Sequence, residues 1–208
     1  MKYTDFLTTV RKNNIYIFTV DEIVKYFPDS THKTIQNQVQ MWLEKGLLDR
    51  LKRGIYKIQF PEGGPVIPDL HIANRLYEPS YVSLETALSF YSLIPGVAAA
   101  VTSVTTRQTK LFKNKFGIFN YNSCKNKAYC GYRIMLYEGF KVYIAEKEKA
   151  IVDFVYFKRR HSEEIDIDEE RFDVEGLKRL SWKKVFHYAE LYNKKTLTTI
   201  EKVKEQTR

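Results

Sequence analysis

Amide and hydroxyl side chains recur between Thr31 and Glu44, and their spacing suggests a specific chemistry. If this segment is a helix, its apolar residues Ile35, Val39 and Trp42 share one side. The opposite side then carries Lys33, Thr34, Asn37, Gln40 and Glu44, flanked by Gln36 and Gln38, and the base-reading candidates are Lys33, Thr34, Gln36, Asn37 and Gln40. Asn and Gln can form bidentate hydrogen bonds with the edge of adenine in the DNA major groove. The pattern therefore predicts a helix that reads bases, and an ordinary solvent-exposed helix is the alternative.

A basic segment follows this helix directly. Residues 48–58 have strand character on both sides of Gly54, which is typical of a hairpin turn. The cations of this hairpin are Arg50, Lys52, Arg53 and Lys57. Such cations neutralise phosphates and orient the helix without choosing a sequence. We expect Thr31 and His32 to contact the DNA backbone as well, while a basic surface hairpin without DNA contacts is the alternative.

A second set of polar residues lies later in the chain. These residues point to a particular chemistry less specifically than the predicted DNA-binding residues do. Its hydroxyl and charged members are Ser83, Glu85, Thr102, Ser103, Thr105, Thr106 and Arg107. A helix cap at Ser83 and threonines on a half-buried strand would both be routine.

Three charged residues of a later predicted helix belong to the same set. Glu148 suits the first turn of that helix, where the dipole favours an acid. Asp153 lies among apolar residues and needs a buried partner, for which Lys149, one turn earlier, is a candidate. A structural ion pair is the role that the pattern favours.

No catalytic motif is recognisable in the sequence. The four histidines are scattered, no glycine-rich phosphate loop occurs, and no serine lies in a nucleophile-elbow pattern. Pro68-Asp69 could begin a metal-dependent nuclease motif, but no Glu-x-Lys follows it. We therefore expect no catalytic residues, no metal ligands and no cofactor.

Helix signals organise the first part of the chain. Residues 4–12 have helical periodicity. Thr19 and Glu22 form a capping-box pattern for a helix over residues 20–27. Ser30 is the predicted cap of the next helix, which Gly46 would end. Prolines and glycines then crowd residues 60–69, so we place a boundary near residue 65, between domains 1–64 and 65–208.

The second predicted domain mixes helices and strands. Helices are predicted over 70–77, 84–94, 146–157, 174–180 and 182–192 and from about residue 198. Strands are predicted over 98–106, around 116–121, and in a hairpin of 131–136 with 141–145. Asp173 and Ser181 are predicted caps, and residues 162–171 form an acidic solvated segment or helix start. The predicted fold class is α+β: an N-terminal winged helix-turn-helix, then a mixed α/β domain with a central sheet and C-terminal helices.

Composition limits the possible settings and partners. The 208 residues carry a formal net charge of +9, which favours a polyanionic partner. With 44% hydrophobic residues the chain can bury substantial cores. Two cysteines, Cys124 and Cys130, are too few for a disulfide framework, so we expect a reduced, cytoplasmic setting. No apolar run is long enough to span a membrane.

Four motifs in order resemble the AbiEi-type antitoxins of abortive-infection, type IV toxin–antitoxin systems. They are Tyr81–Pro95, Val101–Arg107, Phe116–Tyr121 and Glu148–Asp153, and the resemblance extends over roughly residues 10–160. The chain departs from the family pattern at Glu146-Lys147, where Thr-Pro is common, and at Asn122–Cys124, where the family is more basic.

The resemblance implies a bacterial regulator with two roles. The winged helix would bind operator DNA, inverted repeats in its own promoter, and repress the operon. The second domain would counteract a nucleotidyltransferase toxin, and because a stable complex is not usual in this family, no toxin-binding residues can be assigned. Two alternatives remain: a nuclease targeted by the winged helix, and a protein-interaction module that binds no DNA.

Overall fold

The computed structural model describes residues 2–60, 63–96, 99–159 and 165–207. These residues form a mixed α/β structure with one three-stranded and one six-stranded sheet. The chain divides into two compact units, residues 1–67 and 68–208.

The first unit contains three helices and a small antiparallel sheet. Its elements are α1 (Tyr3–Lys12), β1 (Ile17–Phe18), α2 (Val20–Val24), α3 (His32–Glu44), β2 (Leu48–Lys52) and β3 (Ile55–Ile58). The strand order is β1-β3-β2. Phe6 lies at the centre of the core, with its ring 4.6 Å from that of Trp42 and 5.3 Å from that of Phe18. Ile35 and Val39 of α3 are buried in the same cluster, so the predicted apolar side of this helix is confirmed.

Caps determine where these helices begin. The Thr19 hydroxyl accepts the Glu22 N–H at 3.3 Å, and the Glu22 carboxylate accepts the Thr19 N–H at 2.8 Å, which confirms the capping box. The prediction that Ser30 caps α3 is wrong. Thr31 is the cap, and its hydroxyl accepts the Thr34 N–H at 3.1 Å. Both hydroxyl residues can cap a helix, and only the backbone path selects between neighbours.

The second unit has a central sheet surrounded by helices. Its elements are α4 (Asp69–Leu76), β4 (Ser80–Val82), α5 (Leu84–Phe90), β5 (Val101–Thr105), β6 (Lys110–Asn114), β7 (Gly117–Ser123), a 3-10 turn (Asn126–Ala128), β8 (Tyr132–Tyr137), β9 (Phe140–Ala145), α6 (Lys147–Lys158), α7 (Val174–Lys178), α8 (Trp182–Glu190) and α9 (Lys194–Gln206). The strand order is β6-β7-β5-β4-β9-β8. The β5–β7 and β4–β9 pairs are parallel, and the other neighbours are antiparallel.

A side chain extends the sheet where β4 is too short to do so. The β4–β9 pairing has a single registered pair, Val82 with Ile144. Beside it, the Asn74 amide accepts the Tyr143 N–H at 2.8 Å and donates to the Tyr143 carbonyl at 3.1 Å. Asn74 of α4 thus makes the two hydrogen bonds that a strand residue would make, which explains why it is buried.

Helix α6 is the central helix of the second unit. All residues from Lys149 to Val155 are buried, as the apolar sequence predicts. This helix packs against α5, α8, α9 and β9. A helix that is covered on several sides can hold charged residues only where other groups of the core satisfy them.

Several cap and boundary predictions in the second unit are wrong. Ser83, Asp173 and Ser181 occupy N-cap positions, but their side chains make no capping hydrogen bond. Helix α5 ends at Phe90, and α9 begins at Lys194, where the Asn193 side chain accepts the Thr196 N–H at 2.9 Å.

The predicted acidic segment lies partly outside the described residues, which resume at Ile165. Ile165 and Ile167 are buried, and turns rather than a helix follow them. The Asp166 carboxylate accepts the Asp168 N–H at 2.8 Å, and Glu170 pairs with Lys158. Its apolar residues and local turns therefore tie this part of the segment to the core.

Candidate functional site

The outer side of α3 is a continuous polar surface. The exposed residues of this surface are Lys33, Thr34, Gln36, Asn37, Gln40 and Glu44. They are exposed because Ile35, Val39 and Trp42 anchor the other side of the helix in the core. We call this surface the α3 polar face. Amide and hydroxyl groups on one exposed helix side can donate to and accept from base edges.

The start of α3 is held by contacts within the first unit. The Thr31 and Thr34 hydroxyls are 2.9 Å apart and hydrogen-bonded. The His32 Nε2 lies 3.1 Å from a carboxylate oxygen of Asp21, so His32 links α3 to α2. These contacts fix the N-terminal turn of α3, where Thr31 and His32 were predicted to contact the DNA backbone.

The hairpin β2–β3 brings cations next to the α3 polar face. Arg50 on β2 donates to the Gln40 side-chain oxygen at 3.3 Å, and Gln40 donates to Glu44 at 3.1 Å. Arg53 is exposed beside Gly54, whose φ of 82° suits the turn predicted there. The other two predicted cations, Lys52 and Lys57, are half-buried on the strands. The structure thus joins the two sets of predicted DNA-binding residues through the contact of Arg50 with Gln40.

Two of the motif residues in the second unit, Ser83 and Lys149, bind the buried carboxylate of a third, Asp153. One oxygen of Asp153 accepts hydrogen bonds from the Ser83 hydroxyl at 2.7 Å and the Tyr81 hydroxyl at 3.0 Å. The other accepts from the Tyr192 hydroxyl at 2.5 Å and from the Lys149 ammonium. We call these five residues the Asp153 cluster. Lys149 and Asp153 are fully buried, which confirms the predicted ion pair.

The tyrosines of the Asp153 cluster act as permanent donors. Burial, followed by the adjacent Asp153 carboxylate, raises the pKa of Tyr81 and of Tyr192 well above the usual value. Both phenols therefore stay protonated, and each can keep its hydrogen bond to the carboxylate. Because the lysine and the carboxylate have no exposed surface, the cluster is suited to fixing β4, α6 and the α8–α9 connection rather than to reacting with a substrate.

The remaining motif residues occupy separate positions. Thr102 donates to the Ser83 carbonyl at 2.8 Å, and Thr105 donates to the Pro79 carbonyl at 2.7 Å. Arg107 donates to the Glu78 carbonyl at 3.1 Å and lies 4.6 Å over the Tyr77 ring. Their polar groups therefore act mainly in joining β5 to neighbouring segments.

The other four motif residues do not join the Asp153 cluster. Glu148 lies in the first turn of α6, as predicted, and accepts the Ser181 N–H at 3.1 Å. Thr106 is half-buried, and the Ser103 hydroxyl and one oxygen of Glu85 are buried without a hydrogen-bond partner among the described residues.

Sequence reasoning missed the two tyrosines of the Asp153 cluster. Tyr81 lies two residues before Ser83, so a strand at this position could have suggested it as a neighbour. Tyr192 follows α8 and reaches Asp153 only through the packing of α8 and α9 on α6. No local pattern carries that information.

Metal-binding clusters and membrane-spanning helices are both absent from the described ranges. Within them, no group of three or more His, Cys, Asp or Glu residues could hold a metal ion. None of the described helices has both the length and the apolarity needed to cross a membrane.

Comparison of the chain with models of known protein families and with curated proteins found no match.

Proposed function

We propose that this chain is an antitoxin of a type IV toxin–antitoxin system, without enzymatic activity, that represses its own operon by binding DNA. The first unit would bind inverted repeats in the promoter. The second unit would be needed to counteract a nucleotidyltransferase toxin. The α3 polar face, with Arg50 and Arg53 of the hairpin beside it, is the observation that carries the DNA-binding part.

The order of elements in the first unit supports a winged helix-turn-helix. Helices α2 and α3 follow each other in the chain, joined by a connection over residues 25–31, and the hairpin β2–β3 comes directly after α3. In proteins of this class the second helix enters the major groove and the hairpin lies beside it. On this proposal α3 is the recognition helix and β2–β3 is the wing.

Side-chain chemistry assigns two roles within the α3 polar face and the wing. Asn37 and Gln36 have exposed amides suited to adenine, whereas Lys33 and Arg53 offer charge. Gln40 is in a different position, because it already contacts Arg50 and Glu44. We infer that Gln40 and Arg50 contact DNA together or exchange their mutual hydrogen bond for one to the DNA.

The antitoxin part rests on the resemblance of the four motifs to AbiEi-type antitoxins. Three of these motifs contribute to one structural feature, because β4, β5 and α6 meet around Ser83 and the Asp153 cluster. We propose that this buried polar core maintains the fold of the antidote unit, and that groups on its surface act on the toxin.

DNA binding is tested by gel shift with the region upstream of the chain's own gene. Asn37→Ala should lower affinity for the best site by about 1–3 kcal/mol and relax its sequence preference. Arg53→Ala should weaken binding to all sequences alike and reduce the slope of log K against log salt by about one. Lys195→Ala, which removes an exposed lysine from the second unit, is the matched control.

Two results would contradict the DNA-binding proposal. One is failure of the wild-type chain to shift this region at low salt. The other is an equal loss in Asn37→Ala for specific and unrelated DNA, which would refute base reading by α3.

The antidote role is tested by co-expression with a nucleotidyltransferase-like reading frame from the same operon. The wild-type chain should restore growth, and Asn37→Ala should restore it equally, because that substitution affects only the first unit. Growth arrest that persists with the wild-type chain would overturn the antitoxin part and leave DNA binding untouched.

A further inference from the structure

A cavity of about 430 Å³ opens in the second unit between the α4–β4 connection and strands β8 and β9. Cavities of this size accommodate small organic ligands. Its lining includes three tyrosines and three other polar residues: Tyr129, Tyr132, Tyr143, His71, Ser80 and Lys141. The DNA-binding role proposed for the first unit does not use it.

The tyrosines form an aromatic wall with fixed rings. The ring centroids of Tyr129 and Tyr132 are 5.4 Å apart, and those of Tyr132 and Tyr143 are 6.2 Å apart. Tyr132 also stacks on Tyr81, with a centroid distance of 4.9 Å and an interplanar angle of 15°. Because Tyr81 is bound to Asp153, the Asp153 cluster holds the wall in place. Preordered aromatic rings of this kind stack with planar heteroaromatic groups.

Ser80, one of the residues that line the cavity, has an unsatisfied polar group. The residue is only 5% exposed, and its hydroxyl has no hydrogen-bond partner among the described residues. A buried hydroxyl without a partner is unfavourable, because it has lost its hydrogen bonds to water. The hydroxyls of Ser83 and Thr105, close to it in sequence and sheet, are both paired. Because Ser80 lines the cavity, a polar ligand atom that reached this hydroxyl would satisfy it.

His71 adds a hydrogen-bond acceptor. Its Nδ1 lies 2.8 Å from the Lys141 carbonyl oxygen, and since a carbonyl only accepts, Nδ1 carries the proton. Burial lowers the pKa of His71, so the ring is neutral at physiological pH. The Nε2 of a neutral ring with a protonated Nδ1 is an acceptor, which suits an amino or ring N–H group of a ligand.

The charges around the cavity favour an anion. Arg75 donates to Glu78 at 2.6 Å, and the charges of that pair offset each other. Lys141 is exposed at the cavity and adds one positive charge. A ligand with one compact anionic group would therefore match this rim.

We propose that this cavity binds a nucleotide. The base stacks on the tyrosine wall, its polar edge bonds to the Ser80 hydroxyl and the His71 Nε2, and its phosphate pairs with Lys141. A purely apolar ring would leave the Ser80 hydroxyl unpaired, and phosphate alone would leave the wall uncovered. A free mononucleotide and the unpaired terminal nucleotide of a strand share the required chemistry.

The test is calorimetric titration of the full chain with each nucleoside monophosphate, with ribose phosphate, and with a dinucleotide bearing a terminal phosphate. At least one monophosphate or the dinucleotide should bind, and ribose phosphate should bind far more weakly. Tighter binding of the dinucleotide would identify a strand end as the source, and tighter binding of the monophosphate would identify the free nucleotide. Absence of binding by all of them at millimolar concentration would overturn the proposal.

Matched variants locate the binding. Tyr143→Ala should weaken it by about tenfold, because it removes one base–aromatic stack. Tyr26→Ala, which removes a similarly exposed tyrosine from the first unit, should leave it unchanged.

Ser80→Ala and the exposed Lys141→Gln should each weaken nucleotide binding without loss of folding, and wild-type affinity in both would contradict this site. Asn37→Ala should bind nucleotide normally, which separates this result from the test of DNA binding.

Discussion

A carboxylate without exposed surface is stable in a protein only when several donors surround it, and Asp153 has four. Asp153→Ala would leave the Lys149 ammonium buried without its counter-charge. We expect this substitution to lower the free energy of unfolding of the second unit by about 3–5 kcal/mol. Urea denaturation followed by circular dichroism measures the change.

The double variant Lys149→Met with Asp153→Leu separates packing from charge. It replaces both charged side chains by apolar ones of similar volume, and proteins often tolerate such a replacement of a buried ion pair. We therefore expect it to be more stable than Asp153→Ala. A double variant that loses more stability than the single one would show that the hydrogen bonds of Ser83 and the tyrosines outweigh the charge pair.

The two thiols should differ in reactivity. Burial raises the pKa of Cys124 to about 11, so at about pH 8 almost none of it is the reactive thiolate. Cys130 is half-buried, and burial raises its pKa as well. Iodoacetamide labelling followed by peptide mass spectrometry should modify Cys130 first and Cys124 only slowly, with faster Cys124 labelling as the pH rises towards its pKa.

Unfolded protein is the control for this labelling, because there the two cysteines should react at similar rates. Equal rates in the native protein would contradict the burial of Cys124.

At the scale of elements, hydrogen bonds decide which cap residues matter. The Thr31 hydroxyl accepts an N–H of α3, whereas the Ser181 side chain makes no capping bond to α8. Thr31→Ala should therefore cost about 1 kcal/mol of stability. Ser181→Ala, at a similarly exposed position, should cost clearly less. Thermal unfolding of both variants tests the comparison, and equal losses would contradict it.

Local sequence signals predicted where helices begin and which sides of them are buried better than they predicted which distant residues contact each other. The capping box at Thr19, the glycine after α3 and the apolar sides of α3 and α6 each depend on residues within a few positions. Ser83 misled the prediction because a hydroxyl before a helix normally caps it, whereas here it donates to a carboxylate on α6. Such a choice depends on tertiary packing, which local spacing does not encode.

The candidate sites also combine features that local spacing predicts with features that depend on tertiary packing. The α3 polar face follows from helical periodicity alone, but the contact of Arg50 with Gln40 depends on the angle between the hairpin and the helix. The cavity beside Ser80 could not be predicted. It joins residues of α4, β8 and β9 that only the central strand order brings together.

For the whole molecule, we expect the two units to be separable. The first unit has its own aromatic core around Phe6 and Trp42 and contains all the predicted DNA-binding residues. Residues 1–67 expressed alone should unfold cooperatively and shift the same promoter fragment as the full chain. Residues 68–208 should not shift it. Loss of sequence preference in residues 1–67 would show that the second unit takes part in recognition.

The parallel pairing of β4 with β9 has a consequence for synthesis of the chain on the ribosome. Strand β4 leaves the exit tunnel long before its partner, so the centre of the larger sheet cannot close until Ile144 has been translated. Contacts between distant segments also form slowly. The first unit, whose helices and strands all lie before residue 60, can fold while the rest is still being made. A nascent chain would then acquire its proposed repressor activity before its proposed antidote activity.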